Sequence, residues 1–397
     1  RSFATTRPAM IIAGGSSMHK GGNAWHAARA ISCLPALTGD YSVPGGGLGP
    51  RHGARSHGAG FADISAADQR PPGDFVPNQM EAIVEALESG RIKVLLTLGS
   101  NLLSSFPDTG RLRAALARTD LIVAYDLFQN QTIREAADIV LPGTIWLEEI
   151  GVKATNTHVY LADRALPAAG EARPLFTLYQ ELAARLGVED VYPWEDQTAA
   201  IDAVLDHPAT GHAKVAEMRA NGGHARLRIS DVAYPTRRFH TPSGKIEFFS
   251  QRAVDMGLPG LPEPGEDAAS DPRYPLAFAH GRTFAHFHSF YDHARALPVL
   301  AAREPGPMLW LAPEDAEARG IQDGAAIRID SAEGSFAAQA KVIGRIPPGT
   351  VWMRDGWPGL NALTSSASVL PESALAAFPF SVGQSRYSAR VEVTANS

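Results

Sequence analysis

A glycine, a serine and an asparagine follow one apolar segment at a position where α/β proteins often bind nucleotides. Gly99-Ser100-Asn101 comes directly after the apolar residues 93–98. Backbone N–H groups in such a turn, with a serine or asparagine side chain beside them, can bind a phosphate or a ribose. The same residue types also cap helices, so both interpretations stay open.

A carboxylate ends a second apolar segment. Asp126 follows residues 120–125 and could accept two N–H groups from a guanine edge or two ribose hydroxyls. An aspartate in a plain turn is the alternative. Both segments would bring polar groups to the carboxyl edge of one sheet, where α/β folds form their ligand crevice.

Residues 280–293 contain four of the 13 histidines of the chain. A metal site is one interpretation, but only His286 and His288 have a spacing that suits an extended segment, and no third ligand has an obvious spacing. A donor-rich segment could instead hold a polyanionic or heteroaromatic ligand through Arg282, Thr283 and His286. Structural histidines are the third interpretation.

Other segments narrow the chemistry. The amide of Asn361, in the glycine-containing loop 356–365, could bind heteroatoms or cap local structure. No nucleophile elbow, Walker loop or Cys/His pair is present, so hydrolases of those types have little support. Cys33 is the single cysteine, which excludes an internal disulfide and a cysteine-ligated cluster within these residues. We expect it on the buried face of a helix.

The composition is that of an ordinary globular chain. Its 397 residues include 36 Lys+Arg and 42 Asp+Glu, with 45% hydrophobic and 20% charged residues, which favours neither disorder nor nucleic-acid binding. No apolar run reaches the roughly 18 residues of a membrane span. The first residue is not methionine, so we expect processing or truncation upstream. The sequence does not predict a compartment.

The elements that would position these residues read as an α/β pattern. Strands are predicted at 9–13, 93–98, 120–125 and 138–141, and helices at 23–37, 79–89 and 174–187. Glycine-rich segments 14–22 and 43–58 follow the first strand and the first helix. Residues 188–235 are weakly helical and polar. With 37 glycines and 29 prolines, the chain is predicted to be rich in tight loops.

The last third of the chain changes to short β-segments. Strands are predicted at 275–279, 308–311, 325–329, 334–342, 350–353 and 388–393, with one helix at 313–319, which suggests a small β-barrel. The predicted organisation is therefore an α/β domain at 1–90, an α/β dinucleotide-binding domain at 91–250, a linker at 251–274 and a C-terminal barrel at 275–397.

Several segments, taken in chain order, form a pattern known from one family. They are 39–47 (GDYSVPGGG), 99–101 (GSN), 125–126 with 131–132, 137–142 (ADIVLP) with Trp146, Glu148 and Gly151 behind it, 239–248 (FHTPSGKIEF) and 313–324. Together they resemble the molybdopterin-dependent oxidoreductases of the dimethyl sulfoxide reductase family. The match covers almost the whole chain but corresponds to the later portion of the family's sequence.

The resemblance implies a fold and a cofactor. The fold would be Rossmann-like parallel-sheet domains followed by a double-psi type β-barrel, and the cofactor a molybdenum or tungsten ion held by two pyranopterin guanosine dinucleotides. It implies that the guanosine end is bound by Gly99, Ser100, Asn101 and Asp126. It implies that residues nearer a pterin are Arg282, Thr283, His286, Asn361 and Tyr387, and Asn156 is also expected to bind the cofactor.

The family usually has its metal ligand, and often an iron–sulfur cluster, ahead of the segments matched here. The resemblance therefore implies no metal ligand or catalytic residue in this sequence, and an iron–sulfur cluster only in a missing N-terminal part or in a partner. Expected partners are a small-molecule substrate and an iron–sulfur electron-transfer subunit, with no nucleic acid and no membrane span. Residues 286–289 (HFHS) and the Pro-Gly-Gly loop most resemble the thiosulfate and polysulfide reductase branch.

Three hypotheses follow. The first is the C-terminal portion of a bis-pterin molybdenum or tungsten oxidoreductase, performing two-electron chemistry on a small inorganic or organic substrate. The second is a non-catalytic truncated homologue, or a structural or dinucleotide-binding subunit of a redox complex. The third is a nicotinamide-dependent dehydrogenase with an unrelated barrel, which the absence of a clear Gly-x-Gly-x-x-Gly sequence makes less favoured.

Overall fold

The computed structural model describes residues 1–13, 21–49, 75–155, 157–230, 232–264, 271–286, 288–289, 297–377 and 385–396. Contacts divide the chain into two compact units, each built from segments that are distant in sequence. The first contains Arg1–Gly14, Arg29–Asp74 and Pro142–Phe249, and the second contains Gly15–Ala28, Phe75–Leu141 and Ser250–Ser397. The four-part division made above stays a prediction, because it rests on composition and motif order.

Short helices and strands alternate along the chain. The α-helices are α1 (Ser2–Thr5), α2 (Ala24–Thr38), α3 (Met80–Glu88), α4 (Leu102–Ser105), α5 (Thr109–Leu116), α6 (Gln131–Ala136), α7 (Leu175–Leu186), α8 (Gln197–Leu205), α9 (Val215–Ala220), α10 (Gln251–Asp255), α11 (Pro298–Arg303), α12 (Pro313–Ala318) and α13 (Glu372–Ala377). The strands are β1 (Met10–Ile12), β2 (Gly47–Gly49), β3 (Val94–Leu98), β4 (Leu121–Asp126), β5 (Ile139–Pro142), β6 (Gly151–Ala154), β7 (His158–Ala162), β8 (His224–Arg226), β9 (Leu276–Gly281), β10 (Met308–Leu311), β11 (Ala326–Asp330), β12 (Ser335–Val342), β13 (Thr350–Arg354), β14 (Ser365–Ser368), β15 (Ser385–Arg386) and β16 (Ala389–Ala395). Turns of 3₁₀ helix lie at Glu189–Val191, Pro208–Thr210 and Leu360–Leu363.

A parallel pair of strands lies in the second unit. Strands β3 and β4 pair in parallel and β5 joins them in a three-stranded sheet. Helices α3 and α5 bury apolar side chains, among them Leu87 and Leu112, in one cluster with Leu103 of α4 and Ile122 of β4. Strand–helix repeats of this kind cover the face of a parallel sheet. The strands predicted at 93–98, 120–125 and 138–141 are confirmed, and the carboxyl ends of β3 and β4 meet at one edge.

The C-terminal strands close into a six-stranded barrel in the order β10-β12-β11-β16-β9-β13. The pairs β10–β12 and β9–β13 are parallel and the other four pairs are antiparallel. Alternate residues of the strands, such as Leu309, Leu311, Ile327, Ile329 and Val351, are fully buried inside it. The predicted class, α/β with parallel sheets followed by a C-terminal barrel, is confirmed.

A third sheet was not predicted from the sequence. Strands β6, β7 and β8 form an antiparallel sheet in the first unit. Val159 of β7 packs with Leu205 of α8 and Met218 of α9, so one face of the sheet is covered by helices. The strands are three to five residues long and carry polar residues on the other face, which leaves little apolar periodicity to detect.

Two further expectations can be compared with the structure. Cys33 is only half-buried in α2, where Pro35 is the buried residue, so the prediction of a core cysteine is wrong. Helix α10 lies at the start of the predicted linker, and residues 265–270 are outside the described ranges. None of the helices described is both long and apolar enough to cross a bilayer.

An arginine of α5 joins three elements of the second unit. Arg111 donates from Nε and Nη2 to the two carboxylate oxygens of Glu88, at 2.8 Å each, and from Nη1 to Glu81 at 2.5 Å. Nη1 also lies 3.0 Å from Oγ of Ser366 in β14. The hydrogen bonds to Glu88 and Glu81 hold the pKa of Arg111 above its ordinary value. Helices α3 and α5 are thereby fixed to the strand that follows the barrel loop.

We expect Arg111→Met to lower the free energy of unfolding by about 2 kcal/mol, because two half-buried carboxylates lose their charged partner. Arg113→Met is the matched control, since Arg113 lies on the same helix but forms one more exposed pair with Glu135. That pair should contribute less than about 1 kcal/mol. Urea unfolding measures both, and equal losses in the two variants would contradict the assignment.

Candidate functional site

Gly99 forms the turn at the carboxyl end of β3. Its φ of +58° lies in the left-handed region that favours glycine, and its N–H donates to the carbonyl of Tyr125 in β4 at 2.8 Å. Within the described chain, no heavy atom lies within 4 Å of the place where a Cβ would stand. Ser100 beside it is half-buried, with Oγ 3.4 Å from the carbonyl of Leu98. The turn is thus open on its outer side.

Asn101 connects the loops that follow β3 and β4. Its side chain is buried; Nδ2 donates to Ser104 Oγ at 3.0 Å, and Oδ1 accepts from the hydroxyl of Thr132 at 2.9 Å and its N–H at 3.3 Å. The Thr132 hydroxyl also accepts from the N–H of Leu103, and Ser104 donates to Gln131. The Asn101 side chain is therefore occupied in joining α4 to α6.

Asp126 lies at the end of β4, next to Gly99 and Ser100 along the sheet edge. Its Oδ1 accepts from the N–H of Phe128 at 3.1 Å and its Oδ2 from Nδ2 of Asn130 at 2.9 Å. Asn130 Nδ2 also lies 3.4 Å from the Ser100 carbonyl, and its Oδ1 caps α6. The carboxylate is half-buried and held in one orientation, with acceptor positions remaining on both oxygens.

Two of the predicted pterin residues contact the segment at α4. Asn361, in the 3₁₀ turn after β13, donates from Nδ2 to the carbonyls of Ser104 at 3.1 Å and Phe106 at 2.9 Å. Tyr387 donates from its hydroxyl to the carbonyl of Ser105 at 2.5 Å. Burial raises the pKa of this buried phenol, so it stays protonated as a donor. The structure thus brings Asn361 and Tyr387 to the helix that follows Gly99-Ser100-Asn101.

The other predicted pterin residues lie in the loop after β9. The N–H of Thr283 donates to the carbonyl of His286 at 3.0 Å, and the N–H of His286 donates back to the Thr283 hydroxyl at 3.1 Å. The same hydroxyl bonds to Glu304, the residue that ends α11. Arg282 Nη2 lies 2.8 Å from Nε2 of His288. The loop is a closed turn with its side chains tied to neighbouring elements.

A buried arginine that was not predicted supports this loop. Arg354, at the end of β13, is 4% exposed; its Nε lies 2.7 Å from Glu304, and its Nη1 donates to the carbonyls of Asp355 at 2.7 Å and His288 at 3.3 Å. The guanidinium stacks on the ring of Trp357, 3.9 Å from its centroid. Burial lowers the pKa of Arg354 to about 10, and Glu304 and Asp355 oppose that shift, so the group stays charged at neutral pH.

Asp355 and Gly356 continue the connection between β13 and the loop. Asp355 accepts from the N–H of His288 at 3.0 Å and lies 3.2 Å from its Nδ1. Burial opposes its ionisation, but these bonds outweigh that effect and lower its pKa. Gly356 has a φ of +80°, and a Cβ there would stand 2.0 Å from the His288 carbonyl oxygen. The close approach requires glycine.

The structure divides the expected site residues into two groups. Gly99, Ser100, Asn101, Asp126, Asn361 and Tyr387 gather at the sheet edge and α4, whereas Arg282, Thr283 and His286 lie in the loop after β9. Asn156 and His293 are outside the described residues. In the described ranges, no group of three or more His, Cys, Asp or Glu side chains could hold a metal ion.

Sequence reasoning missed Arg354, Glu304 and Asp355. The one available signal was a charged pair, Arg354-Asp355, directly after the apolar residues of a strand, where a solvent-exposed turn was the simpler interpretation. Glu304 lies 50 positions upstream, so no local pattern links it to Arg354. Only the barrel pairing of β9 with β13 brings these segments together.

We expect Gly356→Ala to disorder the loop after β9 and to lower the thermal midpoint by several degrees. Gly90→Ala is the control, because Gly90 has a similar φ of +71° but no neighbour within 4 Å of a Cβ. Both variants carry the backbone cost of about 1–2 kcal/mol, and only Gly356→Ala adds the overlap with His288. Calorimetry checks the difference, and matching midpoints would show that the close approach is unimportant.

The buried imidazole predicts a pH dependence. Burial, with the charge of Arg354, lowers the pKa of His286 below 6.5. Below pH 6.5 the unfolded chain therefore binds a proton that the folded chain does not, and stability falls with falling pH until the folded-state pKa is reached. We expect His286→Gln to flatten this part of the stability profile. His240→Gln, at an exposed site, should leave it unchanged, and a slope retained in His286→Gln would refute the assignment.

Two family models match the chain. Residues 3–185 match the molybdopterin oxidoreductase model, and residues 276–378 match the molybdopterin dinucleotide-binding domain model. The second match covers most of the barrel and the Arg282–His286 loop. These matches indicate the molybdenum–pterin cofactor of that family.

Curated relatives agree with the models. The probable oxidoreductase YoaE of Bacillus subtilis is 28% identical over 92% of this chain and 54% of its own length. The dimethyl sulfoxide reductase DmsA of Escherichia coli is 27% identical over 90% of this chain and 49% of its length. A putative dimethyl sulfoxide reductase catalytic subunit of Halobacterium salinarum is 29% identical over 83% and 40%. The chain spans about half the length of these relatives.

The fold is also found among solved structures. Acetylene hydratase from Pelobacter acetylenicus superposes with a TM-score of 0.78 over 99% of this chain and 62% of that chain, at 22% sequence identity. This likeness shows the fold. With the two family models and the relatives, it establishes that the chain belongs to the dimethyl sulfoxide reductase family of molybdopterin-dependent oxidoreductases.

Proposed function

We propose that this chain holds the dinucleotide of a molybdenum or tungsten bis-pterin guanosine cofactor and serves a two-electron oxidoreductase acting on a small inorganic or organic substrate. The observation that carries the proposal is the open polar edge at the ends of β3 and β4. Gly99, Ser100 and Asp126 present a backbone turn, a hydroxyl and an oriented carboxylate there, and the turn precedes a helix that is fixed to the barrel.

The residues fit the nucleotide end of such a cofactor. Two of the roughly four acceptor positions of the Asp126 carboxylate are taken by Phe128 and Asn130, which leaves about two for the N–H groups of a guanine edge. The positive φ and open space at Gly99 allow close approach to the backbone. Asn101 would act by positioning, because its side-chain amide is already bonded within the protein.

The fit to a pterin rests on groups with defined orientation. Both Nδ2 hydrogens of Asn361 are held by carbonyls, so its Oδ1 points away as an acceptor, and nothing in the described chain donates to it. Arg282, Thr283 and His286 lie on a loop that Arg354 and Glu304 fix from behind. Tyr387 would position α4. A role for Asn156 in binding the cofactor remains an expectation from the resemblance.

The bound cofactor would supply the two-electron redox chemistry at its metal, while the residues described here bind and orient it. An iron–sulfur electron-transfer subunit is the partner we propose, with any cluster held there or in residues beyond this sequence. The similarity of residues 286–289 to the thiosulfate and polysulfide reductase branch remains a prediction about the substrate class.

The test is the metal and nucleotide content of the purified full-length protein. We expect molybdenum or tungsten by mass spectrometry, pterin fluorescence after oxidation and guanosine monophosphate after acid hydrolysis. Asp126→Asn should lower all three at least five-fold, because the amide cannot accept two guanine N–H groups. Asp120→Asn, at the exposed opposite end of β4, should retain them.

Each remaining outcome has a defined meaning. Absence of metal and pterin from the wild-type protein would overturn the proposal, and release of a different nucleotide would overturn its guanosine part. Unchanged cofactor content in Asp126→Asn would remove Asp126 from the site. Cofactor binding without turnover of any sulfur, oxide or formate-type substrate would support the non-catalytic hypothesis over the oxidoreductase. Urea unfolding of both variants confirms that the comparison is made on folded protein.

A further inference from the structure

A small polar cavity lies in the first unit, apart from the residues discussed above. It has a volume of about 290 Å³ and is formed beside the edge strand β8, between the end of α9 and the turn after Thr210. Thr210 and Met218 form its buried floor. A cavity of this size holds a molecule of a few heavy atoms and is too small for a dinucleotide.

The cavity walls carry an excess of basic groups. Arg226, Arg228, His158 and His224 line it, and Glu217 is the one carboxylate among its lining residues. Over the part of the chain that the structure describes, no carboxylate lies within the 4 Å of an ion pair from either arginine. Other arginines of this unit are paired; Arg219, for example, bonds to Asp163 through two nitrogens. The charge facing the cavity is therefore uncompensated.

The sheet register places these side chains on one face. His158 of β7 is directly opposite Arg226 of β8, and Tyr160 is opposite His224, so all four point to the same side. The Nδ1 atom of His158 bonds to the hydroxyl of Thr157 at 2.9 Å, and in that arrangement Nε2 can donate to a ligand. The rings of His158 and His224 pack edge to face, with centroids 5.5 Å apart.

Arg228 is fixed by a glycine. A Cβ on Gly211 would stand 2.5 Å from Nε and 2.9 Å from Cζ of Arg228, so the guanidinium lies directly on the glycine backbone. The N–H of Arg228 also donates to the carbonyl of Ala209 at 2.7 Å. This packing reduces the side-chain freedom that an anion would otherwise have to restrict on binding.

We propose that this cavity binds a small oxyanion with at least two negative charges, either inorganic phosphate or a short dicarboxylate. Two guanidinium groups offer the planar paired donors that match carboxylate and phosphate oxygens. The histidines add ring donors, and the wall at Asn221 adds an amide. The site is independent of the proposed cofactor function, because its lining residues lie at 158–228 and include none of the residues assigned to the cofactor.

Isothermal titration calorimetry of the full chain with phosphate and with succinate, at constant ionic strength, tests the proposal. We expect saturable binding of at least one of them, with affinity at least ten-fold lower in the double variant Arg226→Gln/Arg228→Gln. Arg345→Gln, an exposed arginine of the second unit, should bind like the wild type. Gly211→Ala keeps both charges but displaces Arg228, and it should also weaken binding.

Phosphate binding alone and succinate binding alone each support the site and identify its ligand. Absence of binding by the wild type overturns it, as does equal binding of nitrate at the same ionic strength, which would show only screening of surface charge. Equal affinities in the wild type and the double variant also overturn it. Thermal midpoints of the variants show that the comparison concerns folded protein, and cofactor content has no bearing on the result.

Discussion

The carbonyl groups at the end of helix α4 must find donors, and the barrel supplies them. A helix leaves its last carbonyls without intrahelical partners, and in a buried position each would carry a desolvation cost of roughly 1–3 kcal/mol. Asn361 and Tyr387 donate to the carbonyls of Ser104, Ser105 and Phe106. Because α4 directly follows the Gly99 turn, these bonds fix the candidate nucleotide-binding edge to the barrel. Asn101 completes the connection by joining α4 to α6.

The loop after β9 depends on a different kind of constraint. A guanidinium as buried as that of Arg354 is tolerated only when its donors are satisfied, and Glu304, two carbonyls and the face of Trp357 surround it. Removing one partner would leave a charge in a poorly solvated place. The segment that carries Thr283 and His286 is therefore held by electrostatics inside the barrel end, while its outer residues stay available for a ligand.

Much of the fold could be predicted from local pattern. The apolar runs of β3, β4 and the barrel strands have the length and composition of buried strands, and these predictions are confirmed. Strands β6, β7 and β8 could not be predicted, because their stability comes from packing against α8 and α9 rather than from their own periodicity. The candidate site shows the same division: the types and positions of Gly99, Ser100 and Asp126 indicated a nucleotide, whereas nothing local indicated Arg354 or Glu304.

The sequence by itself determined the element types, the family and the chemical nature of the residues at the strand ends, because these depend on residue type and on spacings of a few positions. Only the tertiary structure decided which groups remain available to a ligand. The Asn101 amide is consumed by Thr132 and Ser104, the Tyr387 hydroxyl by Ser105, and Asn361 keeps only its oxygen. Hydrogen bonds between residues more than 250 positions apart set this availability, and no local pattern encodes them.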